Sequence, residues 1–118
     1  MNQDCTLAEL RSRVARFNQE RDWAQFHNPR NLAMAVSVEA GELLELFLWS
    51  KDDGPQPPVE SRKDSVSHEM ADVLICLLSL ADRLDVDLGE SVKEKLRINA
   101  TKYPVEKARG RMEKSDEL

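Results

Sequence analysis

The scarcity of chain-breaking residues constrains this sequence more than any other feature. Only nine of the 118 residues are Gly or Pro, and four of them stand together between Gly54 and Pro58. A small β-sandwich or barrel needs a turn signal about every 8–12 residues, and the other five breakers are too few to supply them. The long uninterrupted segments therefore predict an all-α fold.

Hydrophobic periodicity predicts four helices and one domain. Thr6 followed by Glu9 is a capping-box pattern, and Asn28 and Asp87 are favourable N-cap residues. The predicted helices run from Thr6 to between Arg21 and Trp23, from about Pro29 to Ser50, from roughly Arg62 to Leu84, and from Asp87 to Pro104. We expect a domain over residues 1–111 and a charged tail over 112–118, with an irregular arm or tail from about residue 105 onward.

The second and third predicted helices are too apolar for a small monomer to cover. Thirteen of the 18 residues from Leu32 to Trp49 are apolar, as are 11 of the 17 from His68 to Leu84. Helices of this kind are buried on most sides. We therefore expect the chain to associate with further copies of itself.

Composition excludes several classes of protein. The net charge of −5 argues against a general nucleic-acid binder. The longest apolar segments contain carboxylates and are shorter than 20 residues, so no membrane span is expected. The polar N-terminus shows no signal peptide, which makes the cytoplasm the expected location. The two cysteines form no zinc-binding motif.

Two pairs of carboxylates lie inside the two most apolar helices. Glu39-x-x-Glu42 and Glu69-x-x-Asp72 each place two acids on one helix face. The pairs are equidistant from the Gly/Pro-rich loop, so a helical hairpin would bring all four together. Gly41, between the first two acids, is expected to let a neighbouring helix approach closely.

Four converging carboxylates in apolar surroundings predict a divalent cation. Burying each of them unpaired would cost several kcal/mol. Hard oxygen ligands without a histidine favour Mg²⁺, with Mn²⁺ as a substitute, and Mg²⁺ is commonly shared with substrate phosphates. The alternative is that these acids are solvent-facing stripes of amphipathic helices.

Further residues fit a nucleotide bound around such a cation. Trp49 lies on the stripe of the first acidic pair, roughly 10–15 Å along the helix, where it could stack on a base, and Trp23 is the other candidate. Lys95, Asn99 and Lys102 follow helical spacing and suit phosphate oxygens. His27 and Arg30 lie near a helix N-terminus, where anions are favoured. The competing interpretations are core packing for the tryptophans and a solvated face for the fourth helix.

These residues resemble the MazG-like nucleotide pyrophosphohydrolases, in particular the dCTP pyrophosphatase branch. The resemblance extends from about residue 7 to 111, and the ordered set of motifs is far more specific than any one of them. The motifs are Glu20–Leu32, Glu39–Trp49, Glu69–Ile75, Lys95–Asn99, Lys102–Val105 and Lys107–Gly110.

The resemblance implies a four-helix chain that assembles into a helical-bundle homodimer or a dimer of dimers. It implies Mg²⁺-dependent hydrolysis of a (d)NTP to the monophosphate and pyrophosphate, which removes unwanted nucleotides. Glu39, Glu42, Glu69 and Asp72 would hold the metal and carry catalysis. The resemblance places the remaining residues at the substrate, with Trp23 and Trp49 at the base, Lys95 and Asn99 at phosphate or sugar, and further contacts from His27, Arg30, Lys102 and Tyr103.

Two positions depart from the animal members of the family. Val14 stands where they carry His, and Cys76 stands where they carry Tyr. Cys76 follows Asp72 by one helical turn and is expected to line the substrate pocket. A preference for dCTP or modified pyrimidine dNTPs is the first hypothesis. The alternatives are a related all-α dUTPase, a phosphoribosyl-ATP pyrophosphohydrolase, or a non-catalytic helical oligomerisation module.

Overall fold

The computed structural model describes residues 4–48 and 62–118 and is helical throughout its regular structure. No strand occurs among these residues, so the predicted all-α class is confirmed. The elements are α1 (Leu7–Glu20), α2 (Pro29–Glu45), α3 (Lys63–Leu84), α4 (Leu88–Lys102), the single turn α5 (Val105–Ala108) and a 3₁₀ turn (Ser115–Glu117). Among the described residues, no helix has the length and apolarity needed to cross a membrane.

The predicted N-caps begin three of these helices. Thr6 Oγ1 accepts from the Glu9 N–H at 3.0 Å, and Asn28 Oδ1 accepts from the Asn31 N–H at 2.8 Å. Asp87 caps α4 in the same way, over 3.0 Å to the Glu90 N–H. Each bond satisfies a backbone donor that the first helical turn leaves unpaired, so these starts follow from local sequence.

Two helices end with an aspartate in the left-handed conformation. Asp22 and Asp85 have φ of 54° and 55°. After α1, the Trp23 N–H donates to the Asn18 carbonyl at 3.0 Å and the Asp22 N–H to the Gln19 carbonyl at 3.0 Å. This is a Schellman ending, which usually uses glycine. After α3, Asp85 occupies the equivalent position in the same bonding pattern.

Helix α3 is the scaffold of the first compact unit, which extends to Val86. Both α1 and α2 pack against it. The contact between α1 and α3 is polar at one end, where Arg11 donates to Asp82 Oδ1 at 3.4 Å, to Asp85 Oδ1 at 2.9 Å and to the Val86 carbonyl at 3.0 Å. This cluster fixes the register of α1 on α3.

Two expectations for α2 were wrong. The helix ends at Glu45 rather than Ser50, because the backbone at residues 46–48 changes to i→i−3 hydrogen bonds, the tighter pattern common at helix ends. A Cβ built on Gly41 meets no atom within 4 Å. No element described in this chain therefore approaches Gly41 closely.

The second compact unit, Asp87–Leu118, contains α4 and the segment after it. We expected an irregular arm or tail from about residue 105, but this segment contains the helical turn α5 and a 3₁₀ turn. Pro104 ends α4 but also begins α5, since its carbonyl accepts from the N–H groups of Lys107 and Ala108 at 3.0 and 2.8 Å. Helix α4 carries ion pairs between neighbouring turns, Glu90 with Lys93 and Glu94 with Arg97.

Candidate metal centre

Three of the four predicted carboxylates converge where α2 packs against α3. One carboxylate oxygen from each of Glu39, Glu69 and Asp72 lies within 4.8 Å of the other two. In the part of the chain that the structure describes, these three residues form the set of ligand atoms that could share one ion. We refer to them as the acidic triad.

Glu42 lies beside the acidic triad rather than within it. Its carboxyl raises the pKa of both Glu39 and Glu69, through side-chain hydrogen bonding and through its negative charge. The four acids therefore form one electrostatic cluster, with Glu42 exposed at its edge.

The triad is electrostatically unfavourable without a cation. The pKa of Glu39 is raised to about 7, first by burial, then by its hydrogen bond to Glu42, and then by the negative charges of Glu42, Asp72 and Glu69. The pKa of Glu69 is also raised, chiefly by burial and by the charges of Glu42 and Asp72. These shifts show that the cluster favours a proton where no other positive charge is supplied.

Two carboxylate oxygens identify where a positive ligand would lie. Glu39 Oε2 and Glu69 Oε2 are shielded from solvent, and neither has a hydrogen-bond partner among the described residues. Leaving such atoms unpaired is costly. Because every ligand atom of the triad is a hard carboxylate oxygen, the site fits a hard divalent cation.

Cys76 borders the triad on the same face of α3, one turn after Asp72. It is half-buried, and its thiol pKa is raised by burial and by the negative charges of Glu39 and Asp72. Its placement at a substrate pocket remains a prediction.

Two of the predicted substrate residues, Trp23 and His27, belong to an aromatic cluster at the end of α1. The rings of Phe17 and Trp23 meet edge to face at 5.8 Å, and those of Trp23 and His27 at 6.1 Å. Arg21 lies over the Phe17 ring at 3.6 Å. Trp23 and His27 are thus brought together, which spacing alone did not predict.

The other predicted substrate residues are placed separately. Arg30 is exposed in the first turn of α2, and Trp49 lies outside the described residues, as does the Gly/Pro-rich loop. In the second compact unit, Lys95 and Lys102 are exposed on α4 and Asn99 is half-buried. The Asn99 carbonyl accepts from the Tyr103 N–H at 2.7 Å, which ends the helix.

Sequence reasoning missed a polar pair between α1 and α3. Asn18 Nδ2 donates to Ser79 Oγ at 3.0 Å, and Ser79 is buried, with 6% of its surface exposed. The available signal was the position of Ser79, a polar residue inside an apolar run and seven residues after Asp72. Its partner depends on the register between helices, which the sequence does not display.

Comparison with known proteins gives consistent matches. The model of the MazG-like family matches residues 34–118. The chain is 46% identical over 107 residues to dCTP pyrophosphatase 1 of Mus musculus, covering 89% of this chain and 63% of that protein. It is 45% identical over 115 residues to dCTP pyrophosphatase 1 of Homo sapiens, covering 96% and 68%. This chain thus spans less than two thirds of the length of the mouse relative.

A solved structure shares the fold. A crystal structure of a pyrophosphatase from Archaeoglobus fulgidus superposes with a TM-score of 0.77 at 37% identity. The alignment covers 88% of this chain and 97% of the archaeal chain.

Proposed function

The chain belongs to the MazG-like family, and from that premise we propose that it is a metal-dependent nucleoside triphosphate pyrophosphohydrolase. The observation that carries the proposal is the acidic triad, in which two solvent-shielded carboxylate oxygens lack a donor among the described residues. The names of the mouse and human relatives and of the archaeal neighbour support the same class of reaction.

The cation we propose is Mg²⁺, with Mn²⁺ as a substitute. Glu39, Glu69 and Asp72 would hold it, and Glu42 would complete the acidic cluster. A bound divalent ion neutralises phosphate charge and lowers the pKa of a water molecule. The triad is suited to this role because its oxygens already converge and need a positive partner.

The proposed reaction is an attack of water on the α-phosphorus of a (d)NTP. The bond from that phosphorus to the oxygen bridging to the β-phosphate breaks, and pyrophosphate leaves with the electron pair. The water proton passes to one of the four carboxylates, and the other product is the (d)NMP. We propose phosphate or sugar contacts for Lys95 and Asn99, and further substrate contacts for Arg30, Lys102 and Tyr103.

The substrates we propose are dCTP or modified pyrimidine dNTPs, in a role that clears unwanted nucleotides. The support is the identity of 45–46% to proteins named dCTP pyrophosphatase 1. Trp23 and His27 would border the base, together with Trp49 and Cys76. Val14 lines a separate cavity with Phe17 and Ile75.

We further propose that the protein is a homodimer or homotetramer. Among the described residues, the buried hydrophobic side chains are those of Leu32, Leu78 and Ala81. Large apolar side chains on α2 and α3 are more than half exposed, including Met34, Val38, Leu44 and Met70. The open space beside Gly41 lies in the same part of α2. Light scattering at micromolar concentration tests this association, which a monomeric mass would contradict.

Product analysis with a panel of dNTPs and Mg²⁺ tests the proposed reaction. We expect equimolar dNMP and pyrophosphate, loss of turnover in EDTA, and the highest kcat/KM for dCTP. Release of orthophosphate, or turnover of no nucleotide, would contradict the proposal. A non-catalytic oligomerisation module predicts in addition that Mg²⁺ leaves the melting temperature unchanged, whereas a metal site raises it by linkage.

A further inference from the structure

A polar cavity of about 190 Å³ lies between the end of α1, the α1–α2 connection and the C-terminal half of α3. A cavity of this size suits one heterocyclic ring rather than a whole nucleotide. Two alanines give it apolar surface. Its polar lining comes from Asn18, Gln19, His27, Ser79, Asp82 and Arg83.

The cavity is aligned with the acidic triad along α3. Asp72, Cys76 and Ser79 follow i, i+4, i+7 spacing and so share one face of the helix. Ser79 is roughly 10 Å along the axis from Asp72, at 1.5 Å per residue. A ring in the cavity and a phosphate chain at the triad can therefore belong to one nucleotide.

Asn18 is the most constrained polar group in this cavity. Its Nδ2 donates to Ser79 Oγ at 3.0 Å, on a residue that is itself buried. Its backbone carbonyl accepts from the Trp23 N–H, and the Trp23 ring meets the His27 ring. Nδ2 donates one of its two N–H groups to Ser79, which sets the orientation of the amide, so the side chain still offers Oδ1 as an acceptor and the second N–H as a donor. In this orientation the amide matches a ligand edge that presents a donor beside an acceptor.

We propose that Asn18, oriented by Ser79, is a specificity-determining residue that accepts a hydrogen bond from the exocyclic amino group of the base. The site then favours a 4-amino pyrimidine, whose N4–H and N3 match Oδ1 and the second Nδ2 N–H, over a 4-oxo pyrimidine, which presents the reverse pattern of acceptor and donor. This inference rests on the proposed function, because it assigns the phosphates of the same ligand to the acidic triad.

The test compares kcat/KM for dCTP and dUTP in matched variants. The double variant Asn18→Ala/Ser79→Ala removes both partners and leaves no unpaired buried group. We expect its dCTP-to-dUTP ratio to fall about tenfold or more. Asn18→Asp keeps an acceptor that Ser79 can orient by donating, so the preference for dCTP is retained. Arg16→Ala, on an exposed position of α1 outside the cavity, leaves the ratio unchanged.

A ratio is the decisive measurement because structural damage lowers both rates together. A double variant that keeps the wild-type ratio overturns the assignment of Asn18. The assignment of Asn18 is also overturned if the wild-type protein prefers neither dCTP over dUTP nor deoxycytidine over deoxyuridine.

Binding of the uncharged nucleosides deoxycytidine and deoxyuridine, measured in EDTA, separates the two proposals. Preference for deoxycytidine in the wild type, lost in the double variant, supports the assignment even if no triphosphate is hydrolysed. In that case the proposed function fails and the base site stands.

Discussion

Helix α3 and its C-cap carry two acidic pairs of the same sequence spacing, and the surroundings of the two pairs differ. Glu69 and Asp72 meet Glu39 from α2, with no cation among the residues described around them. Asp82 and Asp85 meet Arg11 from α1, over 3.4 and 2.9 Å. These contacts raise the pKa of Arg11, first through its hydrogen bond to Asp85.

The difference teaches that spacing alone does not make a metal site. Two acids at i and i+3 on a helix are common, and what distinguishes the pairs is whether the protein supplies a counter-charge. The Arg11 cluster is internally compensated and can serve packing alone. The acidic triad is uncompensated and therefore needs a positive partner that the described residues do not provide.

The largest expected difference in activity is between two variants that each neutralise the second acid of one pair. Asp72→Asn deletes a triad ligand and should lower kcat/KM at least about 100-fold by weakening metal binding. Asp85→Asn is the matched control, because Asn tolerates the left-handed conformation and the position lies outside the triad. It should leave activity within about twofold and cost at most ~1 kcal/mol of stability.

Steady-state kinetics and urea denaturation of both variants decide the outcome. Equal losses of activity would mean that the two pairs do not differ in function. A loss of stability in metal-free Asp72→Asn would likewise argue that the triad is structural, since removing a repelling charge should leave stability unchanged or higher.

The beginnings of the helices were predictable because their signals are local. Thr6, Asn28 and Asp87 cap through their own side chains, and a sequence displays that chemistry directly. The end of α2 and the left-handed Asp22 and Asp85 were not predictable. Each depends on how the backbone leaves a helix, for which the usual signal, glycine, is absent.

The candidate site divides in the same way. The meeting of Glu39 with Glu69 and Asp72 followed from hairpin symmetry about the Gly/Pro-rich loop. The placement of Glu42 beside the triad depends on helix rotation that residue spacing does not fix. The Asn18–Ser79 pair joins residues 61 positions apart, so its existence depends on the register that Arg11 sets between α1 and α3.

The pH dependence of stability should reveal the missing counter-charge at the acidic triad. The folded protein keeps a proton on Glu39 up to about pH 7, whereas the unfolded chain loses it near the ordinary value of 4.5. The folded state therefore binds more protons between these values, and the free energy of unfolding of the metal-free protein falls as pH rises through this window.

Urea titrations in EDTA from pH 4.5 to 7.5 measure this slope. Glu39→Gln should flatten it in part, with a remainder from the raised pKa of Glu69. Saturating Mg²⁺ should flatten it for the wild type, since a bound cation displaces the proton. A wild-type slope that is identical with and without Mg²⁺ would contradict a metal site at the triad.

The smallest expected effect is the difference in stability change between glycine substitutions at the ends of α1 and α3. Asp22 and Asp85 both adopt the left-handed conformation, which glycine adopts without steric cost. Asp22→Gly should raise the free energy of unfolding by up to ~1 kcal/mol, because the change relieves the left-handed strain and loses an exposed side-chain bond from Gln25 Nε2 at 3.1 Å. Asp85→Gly gains the same relief but loses the ion pair with Arg11, so its net change in the free energy of unfolding should be close to zero.

Urea denaturation at one fixed protein concentration measures both changes, since association would otherwise shift the midpoints. If Asp85→Gly stabilises as much as Asp22→Gly, the Arg11 ion pair contributes nothing, and the contrast between the two acidic pairs of α3 rests on the triad alone.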